Sequence, residues 1–203
     1  MIKYNNVEDM IIAHDPKDDY QKGLFAEVLF CRVLQTKKID YIMSGSDMKA
    51  QHDYGDVRIF KDGKQFCLDV KLDNRILDTN NILIEYKVVC DDKVVVEGWF
   101  DRCPCEFIAF FIPQNYTFIV VNWIKLKNLI EKEKIPYYEI DMENQVESRH
   151  RNVPCVTNAK LVALKELENH QLVLAVINCQ EKAPEFIGEY ERLSKVYKLK
   201  VTA

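Results

Sequence analysis

Asp56-Val-Arg-Ile-Phe-Lys-Asp-Gly-Lys-Gln-Phe-Cys-Leu-Asp-Val-Lys71 holds Asp62-Gly63 between two runs rich in aliphatic and aromatic residues. Asp-Gly tolerates the positive φ angles of a two-residue type I′ turn, which makes it a strong hairpin signal. Counting outward from that turn sets Lys61 opposite Lys64, Ile59 opposite Phe66, Val57 opposite Leu68 and Asp56 opposite Asp69. Residues that oppose each other across an antiparallel pair point to the same side of the sheet. One side is therefore wholly apolar and must pack on a core, which the first helix is expected to supply. The other side carries Asp56, Arg58, Asp69 and, two residues further on, Lys71.

Two opposed carboxylates repel, and sheets avoid that pairing unless something neutralises it. Two readings of this face are open. It is a solvated surface on which Arg58 and Lys71 balance the aspartates. Alternatively it is a cation site, because Mg²⁺ prefers oxygen ligands and is commonly held by one or two carboxylates with water and phosphate oxygens.

The preceding helix bears on the choice. A proline-free run of helix formers predicts a helix over 18–35, with apolar residues recurring at Leu24, Val28 and Cys31 and at Phe30 and Leu34. Glu27 is the only acidic residue between Gln21 and Thr36, and it falls between those two apolar stripes. A carboxylate on an apolar face needs a cation or a donor to meet. Arg32 or Lys38 on the same segment is one candidate partner, and the hairpin is the other.

A helical glutamate, then Tyr54-Gly55-Asp56, then Asp69-Val70-Lys71 thirteen residues after Asp56 resembles the PD-(D/E)xK, restriction-endonuclease-like nuclease superfamily. The proline of that pattern is absent here. The stretches Thr79-Asn-Asn-Ile-Leu-Ile-Glu85-Tyr, Gly98-Trp-Phe-Asp101, Cys105-Glu-Phe-Ile-Ala-Phe110-Phe111 and Leu126-Lys-Asn-Leu-Ile130 extend the likeness to phage-type and uncharacterised endonucleases of the superfamily, over about 18–132. The resemblance implies an α/β fold, a mixed central β-sheet flanked by helices in a single domain, with a C-terminal extension over about 133–203. It implies Mg²⁺ or Mn²⁺ held by Glu27, Asp56 and Asp69, and Lys71 orienting the attacking water or stabilising charge at phosphorus. Glu85 is a further catalytic candidate, as a ligand or as a group orienting Lys71, provided its strand adjoins that of Asp69. A solvated Glu85 paired with Lys87 is the alternative. The activity implied is hydrolysis of nucleic acid, DNA in the first instance, with a homodimer as one expected assembly. The alternative function is a catalytically silent nucleic-acid-binding or assembly module on the same scaffold.

Outside the hairpin, strands are predicted over 82–89, 93–97, 106–112, 116–121 and 172–177, and helices over 124–134, 159–168 and 184–193. Lys125, Lys127, Lys132 and Lys134, with Arg149-His150-Arg151, are candidate phosphate contacts. The net charge of -4 gives no overall basic footprint, so any nucleic-acid contact must be local. No apolar run approaches the roughly 18 residues that cross a bilayer, and no basic-then-apolar leader opens the chain, so a cytoplasmic protein without membrane contact is expected. Seven cysteines form no disulfide framework, and Cys103-Pro104-Cys105 lacks the second pair that a structural zinc site needs. His14-Asp15 and His52-Asp53 show no metal-ligand spacing and are treated as peripheral.

Overall fold

The structure is a computed structural model that describes residues 19–45, 47–90, 93–144, 147–148, 151–152 and 155–179. In it the Asp62-Gly63 turn forms with φ of 52° and 72°, both positive as a type I′ turn requires. Strands β2 (Val57–Lys61) and β3 (Lys64–Leu72) pair in the register counted from the sequence, with Val57 against Leu68, Ile59 against Phe66 and Lys61 against Lys64. Helix α1 (Asp19–Thr36) covers their apolar side, where Phe25, Ala26, Leu29, Phe30 and Val33 meet Val57, Leu68 and Val70.

Strand β1 (Asp40–Met43) adds antiparallel to β2, followed by helix α2 (Met48–Tyr54). Short helix α3 (Ile76–Thr79) leads into β4 (Asn81–Cys90) and β5 (Lys93–Glu97), and short helix α4 (Trp99–Arg102) follows. Strand β6 (Phe107–Ile112) then runs parallel to β3, with Asp69 beside Ile108 and Lys71 beside Phe110. Strand β7 (Thr117–Asn122) and helix α5 (Trp123–Glu131) come next. The chain continues through β8 (Tyr138–Asn144), β9 (Glu147–Ser148), β10 (Arg151–Asn152), β11 (Cys155–Ala163), α6 (Leu164–Asn169) and β12 (Val173–Asn178).

The central sheet has six strands in the order β1-β2-β3-β6-β7-β12, mixed because β3 and β6 are parallel while its other pairs are antiparallel. The expected mixed α/β architecture is present. β6 and β7 are buried on both sides, so they read as continuous apolar runs and not as alternation. Ala109, Phe111, Phe118 and Val120 point to the α1 side. Ile108, Phe110, Ile112 and Val121 point to a second core built with Trp123, Leu126 and Ile130 of α5. Each such side chain, fully buried, contributes roughly 1.5–3 kcal/mol.

The condition set on Glu85 is not met, and two expectations are corrected. β4 does not join the sheet of Asp69: it lies in a separate antiparallel sheet, β5-β4-β11-β8, whose Ile82, Ile84 and Val162 close the second core. The predicted helix over 159–168 begins only at Leu164, because 155–163 is a strand paired on both edges, with β4 and with β8. Helix α5 stops at Glu131, short of Lys134. Strand β12 completes the central sheet and β11 binds β4, so strands after residue 133 are built into both sheets. The predicted helix over 184–193 lies outside the described residues. Among the described residues, no helix is long and apolar enough to cross a membrane.

Candidate active site

Two local features aim Asp56. Asp47 caps α2 by accepting from the amide of Ala50, and Gly55 ends that helix with φ of 70°, a left-handed conformation that costs glycine little. A Cβ at Gly55 would collide with the Cys105 sulfur and approach the Leu68 carbonyl to 3.1 Å, so only glycine passes here. β2 pairs with β3 as far as Val57 and Leu68, and beyond that point the Asp56 side chain takes over. Its Oδ2 accepts the Val70 amide at 2.7 Å.

Asp56 and Asp69 are both buried and share a hydrogen bond between their carboxyls. The Lys71 ammonium lies 2.5 Å from Asp69 Oδ2. Glu27 on α1 is 7% exposed, and its Oε2 has no hydrogen-bond partner. The helical reading of Glu27 as a glutamate on an apolar face therefore holds: Phe30, Cys31 and Leu34 around it are buried.

The electrostatics tie the four residues together. Burial, then the charge of Asp69, pushes Glu27 up to about 8, against the pull of Lys71. Burial, then Asp69 and Glu27, holds Asp56 well above the ordinary carboxylate range. Burial pushes Asp69 the same way, but Lys71, with hydrogen bonds from Asp56, Lys71 and Cys103, outweighs it and keeps Asp69 low. For Lys71, burial favours the neutral amine, yet Asp69 and Asp56 overcome it and raise its pKa. The cluster thus holds more carboxyl groups than its cation can balance, and protons make up the difference.

That is the chemistry of a donor set suited to a divalent cation. Glu27 Oε2 is an unpartnered buried oxygen, and burial with the charges of Asp69 and Glu27 holds the neighbouring Asp56 carboxyl above the ordinary carboxylate range. Among the described residues no three His, Cys, Asp or Glu side chains stand close enough together to form a ready-made cage. These residues do not fit a caged ion such as structural zinc; what they could offer is one or two carboxylates to an ion that keeps most of its water.

Glu85 reaches the site from the second sheet and not from beside β3. Burial raises its pKa, while Lys71 and Arg102 lower it. It lines a cavity of about 410 Å³ with Lys71, Arg75, Trp99 and Phe110. The Lys71 ammonium stands 5.7 Å from the centre of the Trp99 ring. Cys103 and Cys105, set aside at the level of sequence, sit beside the aspartates: a hydrogen bond with Cys103 and burial push the Cys105 thiol up. Their approach depends on the parallel β3–β6 crossing, which leaves no local sequence signal.

Other sequence candidates stand apart. His52 pairs with Asp53 at 3.1 Å on the surface. Lys125 donates to the His170 carbonyl at 2.8 Å, and Lys127 lies 5.1 Å from the Phe100 ring centre. His14-Asp15 and Arg149-His150 lie outside the described residues.

No protein-family model and no curated protein matches the chain. Among solved structures, a bacterial homing endonuclease is similar over 55% of this chain and 73% of its own, at 13% identity and a TM-score of 0.43. A nuclease from a fusselovirus is similar over 95% of this chain and 98% of its own, at 9% identity and a TM-score of 0.31.

Proposed function

We propose that this protein hydrolyses phosphodiester bonds in nucleic acid with the help of Mg²⁺ or Mn²⁺, and that DNA is the substrate. The observation that carries the reading is the buried, unpartnered Oε2 of Glu27 within the field of the Asp56–Asp69 pair, with Lys71 alongside. DNA as the substrate follows from the resemblance of Tyr54-Gly55-Asp56 and Asp69-Val70-Lys71 to the restriction-endonuclease-like pattern.

Asp56 and Asp69 would hold the ion, with Glu27 acting directly or through water. When bound, such an ion acts as a Lewis acid at the phosphoryl group and lowers the pKa of a water. Lys71 stays charged because its pKa is raised, so it is a fixed positive group able to stabilise the extra charge that develops on phosphate oxygens. Val70, anchored through its amide to Asp56, holds the spacing between Asp69 and Lys71. Burial of the three carboxyls keeps bulk water from screening these charges.

One observation favours a second reading, a silent binding module: Lys71 and Asp69 already satisfy each other at 2.5 Å. The test separates the two. Supercoiled, linear and branched DNA are incubated with the protein in Mg²⁺ or Mn²⁺, beside Asp69→Asn and Lys71→Ala. Metal-dependent cleavage that both substitutions abolish supports the nuclease. Binding without cleavage in the wild-type protein, or cleavage undiminished in both variants, overturns it.

A further inference from the structure

The cavity beside Lys71 has a composition that the proposed hydrolysis does not use. Trp99 and Phe110 supply aromatic and apolar surface, Glu85 faces in from the second sheet, and Arg75 stands at the rim. Among the described residues, the Glu85 carboxylate has no hydrogen-bond or ion-pair partner. Its position is built in by the backbone. Gly98 donates its amide to the Tyr86 carbonyl at 2.8 Å, and a Cβ at Gly98 would collide with the Glu85 carbonyl, so the chain can seat Trp99 beside Glu85 only with glycine at 98.

Lys71 belongs to both places. Its ammonium pairs with Asp69 at 2.5 Å and also lies 5.7 Å from the centre of the Trp99 ring, at the border between the carboxyl cluster and the cavity. A nucleotide whose phosphate meets Lys71 therefore has its base within reach of Trp99. We propose, building on the nuclease reading, that this cavity receives an unpaired guanine next to the phosphate that is cut, stacked on Trp99 and held at its Watson–Crick edge by Glu85.

Three chemical points select guanine. An aromatic face accepts any base and is worth about 1–3 kcal/mol per stacked base, so it binds without choosing. Choice falls to the carboxylate, which only accepts hydrogen bonds. Guanine presents two parallel donors, N1–H and the 2-amino group, which match the two oxygens of Glu85. Adenine and cytosine each offer an amino group beside a ring acceptor that a carboxylate repels, and thymine offers one N–H between two carbonyls. A base can reach such a cavity only when it is out of the double helix, and extrusion costs a few kcal/mol when it is paired. The preferred substrate is therefore a strand with guanine already unpaired.

The test uses the full chain in metal-free buffer and short oligonucleotides carrying one unpaired guanine, inosine, adenine, cytosine or thymine, with free dGMP as a separate arm. Binding is followed by tryptophan fluorescence. The chain has two tryptophans and Trp123 is buried, so the response should vanish in Trp99→Phe. Guanine should bind about tenfold more tightly than inosine, which lacks the 2-amino donor, and Glu85→Gln should erase that difference while leaving the fluorescence response to stacking. Free dGMP should bind more weakly than guanine in a strand. Equal affinity for all bases, a guanine preference that survives Glu85→Gln, or dGMP binding as tightly as the oligonucleotide overturns the proposal. Cleavage in Mg²⁺ is scored separately: cleavage without guanine preference refutes this inference alone, and guanine preference without cleavage refutes the nuclease reading alone.

Discussion

The Oδ2 atom of Asp56 accepts the backbone amide of Val70 at 2.7 Å, so a side chain takes the hydrogen bond that the carbonyl of residue 55 would have accepted had β2 continued in the same register. Asp56 is thus both a strand substitute and a member of the carboxyl cluster. The two roles separate by substitution. Asp56→Asn keeps an acceptor for Val70 and removes the ionisable carboxyl, so the fold should hold and metal-dependent cleavage should be lost. Asp56→Ala leaves the buried Val70 amide unpaired and should cost about 1–3 kcal/mol in denaturant unfolding, with cleavage lost as well.

The pH dependence of stability follows from Glu27. Its pKa rises from 4.5 to about 8 on folding, so between those values the folded state binds more protons than the unfolded chain. Stability of the metal-free protein should therefore fall as pH rises from 4.5 toward 8 and level off above. Asp56, also raised, acts in the same direction. At about 1.4 kcal/mol per unit, the total effect is a few kcal/mol. Glu27→Gln should flatten the curve, and so should saturating Mg²⁺. Melting temperatures across that range, with and without the ion, check both.

Lys71 sends its charge to all three carboxyls. Lys71→Met should destabilise the metal-free protein, because buried carboxyls lose their counter-charge. It should also lower the cleavage rate by about 10²-fold or more while leaving Mn²⁺ bound, since in the proposed mechanism the lysine stabilises developing charge and is not a ligand. Parallel metal titration and cleavage assays distinguish these effects from simple unfolding.

Gly55→Ala tests how Asp56 is aimed. The new methyl would face the Cys105 sulfur in a backbone with φ of 70°. We expect a loss of more than about 1 kcal/mol and loss of cleavage together. Gly63→Ala, also at positive φ but with open space around it, should cost stability without touching activity.

The hairpin was legible because an Asp-Gly turn fixes register by counting, and register alone brings Asp56 to Asp69 and turns Val57 and Leu68 toward α1. Glu27 was legible because one acid on an apolar stripe breaks a pattern. The place of Glu85 stayed open: its strand shows the same alternation whichever sheet it joins, and only the β11 pairing decides. The segment at Ala159 reads as helix because its residues are good helix formers, yet strand partners on both edges override that preference. Cys103 and Trp99 were silent because non-local crossings, not spacing, carry them to Asp69 and Lys71.

In the proposed mechanism Asp56 and Asp69 hold a divalent ion, with Glu27 beside it. Crystals soaked in Mn²⁺ and measured for anomalous scattering test it most directly. A peak is expected between the Asp56 and Asp69 carboxylates, with Glu27 Oε2 turned toward it and the peak absent in Asp69→Asn. No peak at that position, with Lys71 still closed on Asp69 at saturating Mn²⁺, would contradict it.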